Sequence, residues 1–314
     1  MKTKLCFSIS FLVSIYMITI DQAKGQTSMD GVMMNKHQLC TGITYMKSSW
    51  TNYWEGTYKR NNDNIGKLTT QEFMLMSNYG ITNDLNVMVG IPYITSKASK
   101  GTLHGMKGFQ DASIDLKWKA LKCNHQSNQF SLITDIGFSA PLSNYVIDFL
   151  PMSIGMGSTN LSGRIIADYQ KGKFFSTASA GYAFRSNVKL DRTSYYTTSL
   201  HSTNEVEMPD VANYSISIGL RTPDLILETF ADRFVTLGGF DIRKNDMPFV
   251  SNQMNFTAIG LSGKYFLPFN NHIEITANAS TVINGRNTGA ATSYGAGLFY
   301  VFTFKNKKID LKKL

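Results

Sequence analysis

The stretch His272-Ile273-Glu274-Ile275-Thr276-Ala277-Asn278-Ala279-Ser280-Thr281-Val282-Ile283 decides how this chain is read. Successive side chains of a β-strand point to opposite faces. Ile273, Ile275, Ala277, Ala279 and Ile283 therefore share one face, and His272, Glu274, Thr276, Asn278 and Ser280 the other. The pattern recurs around Trp118, where Ala112, Ile114, Leu116, Trp118 and Ala120 alternate with Ser113, Asp115, Lys117 and Lys119. A face carrying Asp115, Lys117 and Lys119 is too polar for the dry core of a β-sandwich. The inverted arrangement, apolar side chains outward and polar ones inward, belongs to a transmembrane β-barrel with strands of about ten residues.

The N-terminus indicates the compartment. Lys2 and Lys4 precede an apolar run, Leu5 to Ile20, followed by a polar stretch with small residues at Ala23 and Gly25. This layout predicts a secretory signal peptide, 1–25, cleaved before Gln26. Ser8, Ser10 and Ser14 weaken the run as a transmembrane anchor, and Cys6 lies inside it rather than at the cleavage point of a lipoprotein. No later segment approaches 18 consecutive apolar residues, so a membrane-spanning form of the rest must be a closed barrel, which pairs every backbone group. Cys40 and Cys123 lack metal-ligand spacing and are too few for a disulfide framework, so two free thiols are expected. The net charge of +9 owes much to the tail 305–314, which includes Lys305, Lys307, Lys308, Lys312 and Lys313. Basic and aromatic residues do not interleave as they do in single-strand readers, so no nucleic-acid partner is expected. The tail reads as a basic periplasmic extension.

No linker or break in composition divides residues 26–304, which read as one all-β domain. Short turns fall at Thr82-Asn83-Asp84, 123–128, 170–173, Thr222-Pro223-Asp224 and Phe269-Asn270-Asn271. Asn, Asp, Gly and Pro suit tight turns. Longer polar segments alternate with them at about 49–66, 97–108, 141–157, 187–212, 244–252 and 285–290. Short periplasmic turns alternating with long external loops mark an outer-membrane barrel. The strands between them are expected at 36–47, 67–80, 84–97, 109–122, 128–140, 159–170, 173–186, 212–222, 225–243, 253–268, 271–284 and 291–304. That makes twelve antiparallel strands, an even number that returns both ends of the barrel to one side. The alternation in 225–243 breaks near Ala231 to Arg233, which predicts a bulge or a misplaced boundary. Tyr79, Tyr93, Trp118, Phe130, Tyr169, Phe174, Tyr265 and Tyr300 fall on outward faces, several of them where interfacial aromatic girdles sit.

Inward parity assigns Glu72, Asp111, Asp115, Lys117, Lys119, Asp135, Arg164, Asp168, Arg185, Arg221 and Glu274 to the lumen. These are the candidate pore-lining residues. Mixed charges in a narrow interior are expected to pair, with Lys117 and Arg164 each reaching a carboxylate among Asp111, Asp115, Asp135 and Asp168. Enzymatic readings have little support. The five histidines map to strand ends or loops, and no Gly-x-Ser-x-Gly, HExxH, phosphate loop or dinucleotide fingerprint occurs. No cofactor, metal site or catalytic residue is expected.

Two stretches resemble a known family. Tyr79-Gly80-Ile81-Thr82-Asn83-Asp84-Leu85, continuing through Val87 and Val89 to Gly90-Ile91-Pro92-Tyr93, is similar to a hairpin of the outer-membrane transporters named after the phenol meta-cleavage pathway. Gly108-Phe109-Gln110-Asp111-Ala112, followed by Lys117, resembles the next strand of that family, with Gln110 where Gly or Ser is more usual. The resemblance reads from about 67 to 120. Pro92 lacks an N–H and is expected at a bulge or near the upper strand end. The resemblance implies a barrel, related in spirit to fatty-acid channels, that passes small and often hydrophobic compounds. It carries no catalytic residues.

The expected function is passage of small molecules, hydrophobic or aromatic ones included, across a bacterial outer membrane. Outer-membrane lipid, lipopolysaccharide and the barrel-assembly machinery are the expected partners. The alternative is a non-transporting barrel that anchors a secretion or surface-machinery partner through its large loops.

Overall fold

Residues 27–304, Asn245 excepted, are described by a computed structural model. The expected signal peptide 1–25 and the basic tail 305–314 lie outside the described residues. Twelve long strands form the barrel: β1 (Gln38–Trp50), β2 (Leu68–Gly80), β3 (Leu85–Ala98), β4 (Asp111–His125), β5 (Asn128–Pro141), β6 (Asn160–Lys171), β7 (Phe174–Arg185), β8 (Asp210–Arg221), β9 (Leu225–Leu237), β10 (Asn255–Leu267), β11 (Asn270–Arg286) and β12 (Thr292–Thr303). Each pairs antiparallel with its sequence neighbours. β12 returns to β1, from Gln38 opposite Thr303 to Ser49 opposite Thr292, so the barrel has no free edge. Among the described residues no helix is long and apolar enough to cross a membrane; strands make the crossing.

Burial confirms the inversion read from the alternation. Leu116 and Trp118 are 43% and 52% exposed, whereas Lys117 between them is fully buried. Ile275 is outward and exposed beside buried Glu274, and Ile136 beside buried Asp135. An apolar side chain turned out beside a charged one turned in gains only if the outside is hydrocarbon.

Short turns gather at one end, as at Gln126–Ser127 and Gly172–Lys173, with Gln126 and Gly172 in left-handed conformations. The long segments gather at the other end and carry structure of their own. Asn52–Glu55 pairs with Tyr58–Asn61, Val188–Lys189 with Glu205–Val206, and Tyr195–Tyr196 with Leu200–His201. Val188, Leu190, Tyr195, Val206, Met208, Phe249 and Val250 bury a small core among these loops.

The structure redraws two local expectations. β9 ends at Leu237, not 243, and its pairing with β8 and β10 runs through Ala231–Arg233 without a shift. The alternation breaks there because Arg233 points outward and donates to Thr257 on β10, while Asp232 points in. The bulges lie elsewhere, at Ala120 on β4 and near Ile283 on β11. Pro92 behaves as expected. β4 pairs with β3 only up to Gly90 opposite Ser113, and a short strand, Lys107–Phe109, continues the ladder against Tyr93–Thr95. Gln110 donates its N–H to the Pro92 carbonyl at the break.

Candidate functional site

The eleven charged residues assigned to the lumen all lie at inward positions of their strands, but Lys117 and Asp168 have partners other than those expected. Lys117 does not pair with a barrel carboxylate. Its Nζ donates to the Thr27 carbonyl (2.8 Å), the Asp30 carbonyl (2.6 Å) and Asp30 Oδ1 (3.0 Å). Lys264 on β10 reaches Asp30 Oδ2 at 2.8 Å. Thr27 to His37 therefore enter the barrel at its short-turn end and occupy the lower lumen. Asp30 also caps its own turn, accepting the N–H groups of Thr27 and Val32. Burial pushes the Asp30 carboxyl up, but the Lys117 and Lys264 ammonium groups and the hydrogen bonds outweigh it and hold the group well below the usual carboxylate range. It is an anion between two cations.

Packing seats the rest of this plug. Val32 joins Phe175 and Ile226, and Met34 joins Cys40, Phe266, Phe299 and Val301, in two small apolar clusters inside the polar lumen. Gly31 lies so close to Asp168 that a Cβ there would come within 2.1 Å of Asp168 Oδ1. Lower down, the Lys36 N–H donates to Asn83 Oδ1 and the His37 N–H to the Gly80 carbonyl.

Asp168 is taken by Arg221, not by Arg164. The two guanidinium nitrogens meet the two carboxylate oxygens at 2.9 and 3.0 Å, Thr177 donates to the same carboxylate, and the guanidinium lies over the Phe175 ring. Such a fork-to-fork pair is strong and geometrically specific. Arg164 instead faces Asp135, Asp115 and Asp232 electrostatically. Lys117, Asp135 and Arg164 stand in one register row across β4, β5 and β6. Lys119 pairs loosely with Asp84 at 3.8 Å. Glu72 and Glu274 face in from β2 and β11; Glu274 is almost fully buried. Asp111 accepts a hydrogen bond from Tyr145, whose loop, 142–159, folds over the long-loop end. Ser96 donates to the carbonyl of buried Met152 in the same loop. Arg185 lies within electrostatic range of Asp111 and Asp210.

Sequence reasoning missed Asp30, Lys264, Glu228 and Asp232. Lys264 is legible by parity, because Tyr265 beside it reads as outward. Glu228 and Asp232 were hidden by the broken alternation around Arg233. Asp30 belongs to no strand, and nothing local links it to Lys117, 87 residues away. Among the described residues, no group of His, Cys, Asp and Glu side chains is arranged to hold a metal ion.

A closed ring of twelve strands, apolar outside and charged inside, defines a β-barrel of the outer membrane. The family model described as "Putative MetA-pathway of phenol degradation" matches residues 77–300, most of the chain, and the chain belongs to that family. Among solved structures it is similar to an outer membrane channel from Pseudomonas putida F1, with 13% identity and a TM-score of 0.66 over 86% of this chain and 97% of that one. Two others are more distant. A NanC porin shares 8% identity at a TM-score of 0.44, over 82% of this chain and 98% of its own. A TodX monoaromatic hydrocarbon channel mutant shares 8% at 0.43, over 86% and 91%. No curated protein matches by sequence.

Proposed function

We propose that the chain is a channel through which small molecules cross the outer membrane. The observation that carries this reading is the interior itself. It is a barrel lined by charged groups whose lower half is closed by a segment held through ion pairs and small contacts. A barrel used only as an anchor has no need of a charged lumen with a separate stopper. The structurally similar Pseudomonas putida protein is an outer membrane channel, which supports the same reading. Cleavage before Gln26 fits it as well, because Thr27 already lies inside the lumen. In this reading the apolar band faces lipid and lipopolysaccharide, and the barrel-assembly machinery inserts the chain.

Hydrophobic or aromatic solutes are the finer part of the proposal. At the long-loop end, Trp50, Tyr53, Leu150, Pro151, Ile242 and Pro248 line a mainly apolar cavity of about 180 Å³. An apolar cavity of about 150 Å³ is enough to take up benzene. The test is planar-bilayer conductance of the mature protein beside a variant lacking residues 27–36. The expected result is a small conductance that grows when the plug is removed. Silence in both proteins would favour a docking platform for a surface partner, built on the folded external loops.

A further inference from the structure

Above the Asp30 latch, one layer of the lumen holds more hydrogen-bonding capacity than the protein uses. Asp135 is only 4% exposed, yet its Oδ2 has no hydrogen-bond partner. Its register neighbour Lys117 cannot supply one. An ammonium has three protons, and those of Lys117 go to Thr27 and Asp30. Its other register neighbour, Arg164, leaves Nη1 without a partner. Asp232 Oδ1 and Asn213 Oδ1 are buried and unpartnered too. Arg164 is the group the others share. Arg164 interacts with Asp135, Asp115 and Asp232, and inward Gly181, paired with both Arg164 and Asn213, leaves room for those two side chains to lie along the wall.

Buried polar groups are almost always satisfied, so several unsatisfied ones around one guanidinium point to an occupant. The balance of the layer says what kind. Three acceptors are open against one donor, and three carboxylates face Arg164 and Lys117, of which Lys117 already serves Asp30. An anion would meet net repulsion, and a neutral alcohol would leave the charge uncompensated. We propose that this layer binds the ammonium group of a small organic amine, held by Asp135, with Arg164 and Lys117 balancing the surplus of negative charge. The inference rests on the channel reading, through which the solute arrives.

The probes are phenethylamine, 2-phenylethanol and phenylacetate, which share a ring and chain and differ in the head group. Binding is measured by isothermal titration of folded, detergent-solubilised protein, and conductance is recorded separately. Saturable binding of phenethylamine is expected, with neither control binding comparably. Asp135→Asn should weaken it about tenfold, the scale of one charge-assisted hydrogen bond. Asp232→Asn should weaken it as well, through the lost negative charge, and serves if the first variant does not fold. Equal binding of the amine and the alcohol, preference for phenylacetate, or unchanged affinity in the folded variants would overturn the site. Amine binding by a non-conducting barrel would keep the site and remove the channel; conductance without amine binding would do the reverse.

Discussion

Asp30 shows how one side chain can hold a segment in place inside a polar interior. Two ammonium groups and two backbone N–H groups converge on its carboxylate. Its pKa is depressed on folding, so its contribution is complete above the ordinary carboxylate range and is lost only as pH falls through the lower folded value. The plug should therefore stay latched from about pH 8 to about pH 5, well above the usual aspartate pKa. A nitroxide attached to Ser28→Cys, in a Cys40→Ser, Cys123→Ser background, should give an immobilised spectrum throughout that range and a mobile one after Asp30→Asn. An unchanged spectrum in Asp30→Asn, or mobilisation within the range, would show that packing rather than charge seats the plug. Gly31→Val separates the two causes, since it leaves every charge in place and drives a side chain into Asp168. At this scale sequence shows facing and hides partners. The inward position of Lys117 follows from Leu116 and Trp118 on either side. Its partner does not, because Asp30 becomes its neighbour only when the barrel closes around the plug.

Single strands were the most legible elements, because a period of two is strict and the two faces here differ sharply. All twelve barrel strands appear in the alternation, and the short turns announce themselves through Asn, Asp, Gly and Pro. The errors lie where a side chain departs from its face for a local reason. Arg233 turns outward to bond Thr257, so β9 reads in the sequence as irregular and six residues longer than it is. Bulges at Ala120 and near Ile283 leave no comparable mark, since a small or apolar residue suits either face. β4 allows a direct test at this scale. Leu116 is an outward residue between Val87 on β3 and Ile136 on β5. Leu116→Arg at mid-bilayer depth should destabilise the folded barrel by roughly 2–4 kcal/mol. The expected sign is a reduced yield of heat-modifiable protein after refolding into vesicles. Wild-type yield from that variant would place Leu116 away from lipid.

Taken whole, the molecule is a barrel with its hydrophobic surface outside, a charged interior, a plug at one end and folded loops at the other. Closure and strand number follow from the alternation and the rhythm of turns. The plug and the loop core do not, because both are made by contacts between segments far apart in the chain, such as Val188 and Phe249 among the loops or Met34 and Phe299 in the lumen. Everything proposed about passage and solute choice depends on the inversion of the two faces. Trp118, 52% exposed next to fully buried Lys117, reports on it directly. With Trp50→Phe and Trp54→Phe it becomes the sole tryptophan, and its fluorescence can be quenched from either side of the wall. In proteoliposomes, brominated acyl chains should quench it strongly and aqueous iodide should barely affect it. Strong quenching by iodide, with indifference to brominated lipid, would put Trp118 in water and contradict the inverted barrel.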